Sequence, residues 1–84
     1  MASTITAEQV EARITEAIAS FGPDREDVTR DASFNALDVD SLDLVELAQI
    51  CEEEFGVQLS SGDMPKLRTV GDAVDLVAAR AGGS

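Results

Sequence analysis

The sequence predicts a small all-α domain: a four-helix bundle with three main helices, one short third helix and a long first loop. Three segments repeat apolar residues at the three- and four-residue spacing of a helix, and each follows a capping residue. No segment of useful length alternates as a strand would. With 84 residues, the chain forms one domain over 1–84. We expect 1–4 and 81–84 to be flexible ends.

The first helix is predicted to begin after Thr6. Thr6 and Gln9 have the spacing of a capping box, and Ile5 with Val10 has that of a hydrophobic staple. Gly22-Pro23 is expected to end the helix. One apolar stripe runs along it: Val10, Ile14, Ile18 and Phe21.

Residues 24–39 lack sustained periodicity and predict a long loop with a few apolar anchors. Loops of this length are uncommon in compact domains and are often functional. The second helix is predicted over Ser41 to Phe55, because Asp40 is a favourable N-cap and Gly56 a favourable stop. The expected loop anchors are Val28, Ala32, Phe34 and Leu37.

The remaining chain predicts a short helical turn and a last helix. Met64 to Leu67 is the short third helix, with Pro65 tolerated only in its first positions. Thr69 caps the last helix, with Asp72 three residues on. The apolar stripe of that helix consists of Val70, Ala73, Val74, Val77 and Ala78, with Leu76 on its flank.

Charge and composition exclude several classes of function. The formal net charge is -11, from 17 acidic and 6 basic residues, and this charge disfavours binding to nucleic acid and to anionic membranes. A basic protein surface is the natural complement. The single cysteine, Cys51, excludes an internal disulfide and fits a reducing cytoplasm. The absence of histidine removes Ser-His and Cys-His nucleophile pairs and histidine metal sites.

The second helix is predicted to have one apolar face and one acidic face. Leu42 falls on the acidic face, and Val45 lies one turn away on its flank beside Glu52. This pattern suits a docking surface, although a solvated helix face explains the acids equally well on pattern alone. The expected core face consists of Leu44, Leu47, Ala48, Cys51 and Phe55. The acidic face consists of Glu46, Gln49 and Glu53.

Ser41 stands at the first position of this helix, within a segment, Leu37 to Leu47, that resembles the Asp-Ser-Leu signature of acyl carrier proteins. The chain also resembles that family, especially its stand-alone actinobacterial members, in three further segments. These are Glu26 to Phe34, Glu52 to Val57 and Leu67 to Asp72. The chain departs from the family where Asp38 replaces a common Gly, where Ser60 replaces a usual Pro, and at Pro65. The stretch before Ser41 is also one residue shorter.

The resemblance implies a non-catalytic carrier with no metal site of its own. A phosphopantetheinyl transferase attaches 4'-phosphopantetheine from coenzyme A to Ser41, and the terminal thiol holds acyl groups as thioesters. Acyltransferase, ketosynthase or acyl-ligase enzymes with basic docking surfaces then act on a cytoplasmic monomer. The implied docking residues are Asp40, Leu42, Val45, Glu46, Gln49, Glu52 and Glu53. The implied acyl-chain cavity is lined by Leu47, Cys51, Phe55, Leu59, Ala73 and Leu76.

Other classes of function fit the sequence less well than a carrier or stay open beside it. An EF-hand fails because Leu42, Asp43 and Gln49 stand where its loop needs other residues. An enzyme using paired carboxylates lacks an apolar pocket around the exposed acids. A peptidyl or aminoacyl carrier usually has a Gly-Gly-x-Ser pattern and a less acidic second helix. A non-carrier helical interaction domain stays open, as does the choice among fatty-acid, polyketide and lipopeptide synthesis.

Overall fold

The computed structural model describes residues 6–82, and within this range the fold is helical, as predicted. Ser33 and Thr69 form an isolated antiparallel bridge, and residues 6–82 contain no strand. No helix among these residues is both long and apolar enough to span a membrane. The helices are α1 (Ala7–Ser20), α2 (Ser41–Phe55) and α3 (Val70–Gly82), with single 3₁₀ turns at Arg25–Asp27 and Met64–Lys66.

The ends of the chain differ from the prediction at one point. The sequence placed 81–84 in a flexible tail, but Ala81 and Gly82 are the last residues of α3. Residues 83–84, the predicted flexible end 1–4 and Ile5 of the predicted staple lie outside the described residues.

The predicted caps are present at each helix. Thr6 and Gln9 form a reciprocal capping box at α1. At α3, the Asp72 amide donates to Thr69 Oγ1 (3.1 Å) and the Thr69 amide donates to Asp72 Oδ2 (3.2 Å). Gly56 ends α2 in the left-handed conformation (φ 70°), which glycine adopts without steric cost. These local hydrogen bonds explain why the helix starts matched the sequence prediction.

The core lies where the apolar stripes of the three helices meet. α1 packs most extensively against α3, and α2 contacts α1. From the long loop, Val28, Phe34 and Val39 enter the core. The largest fully buried side chains are Val10, Ile14, Ile18, Leu47, Cys51, Val70, Val74 and Val77.

The short third helix is a single 3₁₀ turn, Met64–Lys66, and not an α-helix. Pro65 lies at its start, where the missing amide hydrogen costs no helical hydrogen bond. Leu67, predicted as its last residue, is the C-cap of the turn and is buried. The 3₁₀ turn Arg25–Asp27 within the long first loop was not predicted, because three polar residues leave no apolar period.

The long loop is attached to α3 by main-chain hydrogen bonds. Val70 and Gly71 donate their amides to the carbonyls of Ala32 (3.0 Å) and Arg30 (2.9 Å). These are among the first amides of α3, which have no acceptor inside their own helix. At Gly71 a Cβ atom would lie 3.0 Å from the Arg30 oxygen, so glycine permits this close approach.

Candidate functional site

Ser41 is the first residue of α2, and its side chain is exposed. The preceding residue, Asp40, caps the helix by accepting a hydrogen bond from the Asp43 amide to Oδ1 (3.0 Å). The first helical bond runs from Leu44 to the Asp40 carbonyl (3.0 Å). An exposed hydroxyl therefore stands on a firmly capped helix end, where the amide dipoles favour a phosphate and the neighbouring carboxylates oppose it.

The outer face of α2 combines apolar and acidic side chains in solvent. Leu42 is 76% exposed and Val45 is 45% exposed, and they are the two large apolar residues exposed within residues 6–82. An exposed apolar pair rimmed by polar residues is typical of a contact surface. All the predicted docking residues are exposed: Asp40, Leu42, Val45, Glu46, Gln49, Glu52 and Glu53. We call this set the docking face.

Three arginines, Arg13, Arg30 and Arg80, form ion pairs with acids outside the docking face. Arg13 of α1 binds Glu54 of α2 (3.0 Å), which assigns Glu54 to the flank facing α1. Arg30 contacts Glu11 and Asp75, and Arg80 contacts Asp63. No ion pair within residues 6–82 involves the docking face, so its carboxylates are left to interact with an external cation.

The side of α2 opposite the docking face is only partly buried. Leu47 and Cys51 are each 1% exposed, whereas Leu44, Ala48 and Phe55 are half-buried. The helical wheel predicted correctly which side of α2 faces the core. It did not predict how deeply each residue is buried, because burial depends on which elements cover each turn of the helix.

The six residues predicted to line an acyl cavity lie in the core or pack against it. Leu47, Cys51 and Ala73 are buried, and Phe55, Leu59 and Leu76 are half-buried around them. The described residues enclose no open cavity. Burial raises the pKa of the Cys51 thiol to about 11, with a small opposing effect of Arg13. The cavity assignment therefore stays a prediction.

Three acidic residues, Asp38, Asp40 and Asp43, lie close to Ser41 in the sequence. No group of three or more potential ligands converges anywhere in the described range, so Asp38, Asp40 and Asp43 do not share a focal point.

The sequence prediction missed two polar features. Asp38, three positions before Ser41, has a left-handed backbone (φ 58°), and its replacement of a common family glycine was the available signal. Buried Asp63 accepts hydrogen bonds from the Ser60 amide (2.9 Å) and hydroxyl (3.1 Å), and forms a bidentate pair with Arg80 (2.6 and 2.8 Å). The short spacing of Ser60 and Asp63 could have indicated their hydrogen bonds. No neighbouring residue indicated that Arg80 would pair with Asp63.

Comparison with known proteins identifies the class. A family model described as "phosphopantetheine attachment site" matches residues 12–77, a range that includes all of α2 and the Ser41 helix start. The chain therefore belongs to the family of phosphopantetheine attachment domains. Their cofactor is covalently attached 4'-phosphopantetheine.

Individual relatives narrow the class to acyl carrier proteins. The chain is 40% identical over 75 residues to an acyl carrier protein of Lactobacillus johnsonii, covering 87% of this chain and 94% of the relative. It is also similar to the solved structure of the acyl carrier protein from Enterococcus faecalis. That match has a TM-score of 0.77 at 29% identity and covers 90% of this chain and 99% of the other. The chain's function is that of an acyl carrier, which interacts with a phosphopantetheinyl transferase and with acyl-handling enzymes.

Proposed function

We propose that Ser41 is the residue to which 4'-phosphopantetheine is attached. The observation that carries this proposal is the exposed Ser41 hydroxyl on the capped N-terminus of α2, beside the chain's exposed apolar pair. In the modification, the Ser41 oxygen forms a bond to phosphorus of coenzyme A and loses its proton. The bond within the pyrophosphate breaks, and the adenosine bisphosphate part leaves. When attached, the group supplies a terminal thiol that holds acyl groups as thioesters.

The docking face is proposed to bind the partner enzymes. Its unpaired carboxylates would attract a basic surface over several ångströms, and Leu42 and Val45 would bury apolar area on contact. Such a contact is sensitive to salt and easily reversed, which suits a carrier that serves several enzymes. A carrier bound next to a catalytic site also presents its cargo at high effective concentration.

The acyl chain is proposed to insert between α2 and α3. Leu47 and Cys51 of α2 and Ala73 of α3 lie in one apolar cluster, and Leu59 and Leu76 pack on its edge. A hydrocarbon chain placed there would leave water, at roughly 0.8 kcal/mol gained for each buried CH₂ group.

The remaining assignments follow from this role. We infer a monomeric, cytoplasmic carrier that performs no catalysis of its own and relies on acyltransferases, ketosynthases or acyl ligases with basic surfaces. The similarity to Enterococcus and Lactobacillus carriers supports the acyl class over a peptidyl or aminoacyl carrier. Fatty-acid, polyketide and lipopeptide synthesis are all compatible with it.

Intact mass tests the attachment site. The chain is incubated with coenzyme A, Mg²⁺ and a phosphopantetheinyl transferase, alongside Ser41→Ala and the exposed-serine control Ser61→Ala. We expect one phosphopantetheine on the wild type and on Ser61→Ala, and none on Ser41→Ala. A mass gain that persists in Ser41→Ala would refute the assignment, and no gain on any variant would favour a non-carrier interaction domain.

A further inference from the structure

The segment that leads into Ser41 is a single helical turn with a defined start and end. Ser33 begins it, because its hydroxyl accepts a hydrogen bond from the Ala36 amide (3.0 Å). Its carbonyl accepts from the Leu37 amide (3.1 Å), which closes the turn. This turn immediately precedes Asp38, the non-glycine residue with positive φ among the described residues.

Asp38 closes the turn as a Schellman motif does. Its amide donates to the Asn35 carbonyl (3.2 Å), and the next amide, of Val39, donates to the Phe34 carbonyl (2.9 Å). The motif requires a left-handed backbone at the residue that donates the first of these bonds. It usually also has an apolar contact between the two residues that the second bond joins. The residues at the two ends of this motif, Phe34 and Val39, are both buried members of the apolar core, at 3% and 7% exposure.

The motif determines how the chain enters α2. After the left-handed residue, Val39 is directed into the core, and Asp40 follows in an extended conformation as the N-cap. A change of Asp38 to a negative φ would break the bond to Phe34 and withdraw Val39 from the core. The cap and Ser41 would then lose their fixed position.

The backbone of Asp38, rather than its carboxylate, provides this effect. The Asp38 side chain is exposed, and no hydrogen bond or ion pair of the described residues includes it. Asp and Asn are the non-glycine residues that adopt the left-handed region most readily.

We propose that Asp38 is a positioning residue for the modification of Ser41, acting through its left-handed backbone. The inference rests on Ser41 being the site of attachment. It assigns a functional consequence to one dihedral angle. Residues that adopt φ near 58° at position 38 present Ser41 to the transferase more effectively than residues that resist this angle.

A substitution series separates the backbone from the charge. The variants are Asp38→Gly, Asp38→Asn and Asp38→Ala, assayed with coenzyme A, Mg²⁺ and a phosphopantetheinyl transferase below the melting temperature of every variant. We expect Asp38→Gly and Asp38→Asn to retain kcat/KM within about twofold of the wild type. We expect Asp38→Ala to lose about fivefold in kcat/KM, which is the factor that corresponds to the lower end of the energy penalty for a left-handed backbone. Equal losses of kcat/KM in Asp38→Asn and Asp38→Ala would assign the role to the carboxylate and overturn the proposal.

Gly56→Ala is the matched control for general destabilisation. Gly56 has a similar left-handed angle (φ 70°) and open space around it, but it lies at the other end of α2, roughly 20 Å from Ser41. We expect both alanine variants to lower the melting temperature, but only Asp38→Ala to slow modification. Equal modification rates in the two variants, whether reduced or unchanged, would refute a positioning role.

Amide hydrogen exchange gives a readout that does not depend on modification. In Asp38→Ala, the Val39 amide and the Asp43 amide at the cap should exchange faster relative to amides in the middle of α1, whereas Gly56→Ala should leave their relative rates unchanged. Unaltered protection of both amides would overturn the proposal. A wild type that is never modified would refute the attachment site instead, so the two failures are distinguishable.

Discussion

At the scale of single residues, Cys51 shows how burial suppresses the chemistry that a side chain otherwise offers. Its thiol lies between helices at 1% exposure, and desolvation of the thiolate raises its pKa to about 11. Only the thiolate is a strong nucleophile. The carrier's own cysteine therefore does not compete with the thiol of an attached phosphopantetheine for acyl groups.

Alkylation measures this suppression. In Ser41→Ala, where Cys51 is the only thiol, iodoacetamide should react at pH 8 about a hundredfold more slowly with the folded protein than with the urea-unfolded chain. The pKa difference alone accounts for a factor of this order, and steric burial adds to it. Equal rates in the two states would show that Cys51 is open to solvent.

At the scale of elements, α2 has a buried face and an exposed face, and we propose a separate task for each. Leu47 and Cys51 hold the helix in the core, while Leu42, Val45 and the acids face solvent. Because the two faces share no side chain, we expect a charge change on the outer face to alter partner binding without unfolding the domain.

Glu46→Lys tests this separation. Exposed substitutions usually change stability by within about 0.5 kcal/mol, so the variant should fold. Its new cation should raise KM for a partner enzyme with a basic surface, and the increase should shrink at high salt. Glu16→Lys makes the same charge change on the exposed surface of α1 and should leave KM near the wild-type value.

Two results would contradict the docking role of α2. One is a Glu46→Lys variant loaded at the wild-type rate at every salt concentration, and the other is an equal effect of Glu16→Lys. Leu47→Ala is the control for loss of stability. At 1% exposure this leucine should cost about 2–5 kcal/mol on truncation, and it should impair loading only through unfolding. Half-buried Phe55 is a weaker choice for this control.

The accuracy of sequence prediction also differed among elements. Both ends of α2 were predicted to the residue, because Asp40 and Gly56 act on their immediate neighbours. The attachment of the first loop to α3 was not predicted, because it consists of main-chain bonds between Arg30 or Ala32 and residues about forty positions away. Such bonds leave no side-chain pattern. For the site, the structure shows the predicted docking residues exposed, and their docking role stays a prediction. The left-handed conformation of Asp38 could be found only from the backbone coordinates.

At the scale of the whole molecule, the Asp63–Arg80 pair ties the α2–α3 connection to the end of α3. Asp63 accepts hydrogen bonds from Arg80 and Ser60, and Arg80 also donates to the Gln58 carbonyl (3.1 Å). The Arg80 hydrogen bonds, followed by those of Ser60, hold the pKa of the Asp63 carboxyl well below its usual range. The ionised pair therefore contributes to stability at neutral pH.

This pair predicts a specific response to acid. A carboxyl whose pKa is lowered by folding stabilises the protein fully above its unfolded pKa, about 3.9, and the contribution is lost as pH falls towards the folded value. Asp63→Asn should melt below the wild type at pH 7, and the difference should narrow between pH 5 and pH 2. Asp31→Asn removes an exposed charge outside the ion pairs and serves as the control. A difference that stays constant with pH would refute the contribution.

The carbonyls of Arg30 and Ala32 bind the first amides of α3, and these bonds affect the order in which the domain folds during synthesis. During synthesis these carbonyls leave the ribosome well before the helix they complete, and α1 likewise waits for its main packing partner, α3. A nascent chain that stops short of α3 has an apolar face on α1 and unpaired acceptors in the loop. Ser41 has then already left the ribosome, but the contacts of α3 with the loop and with α1 have not yet formed. We therefore expect modification at Ser41 to follow the synthesis and packing of α3.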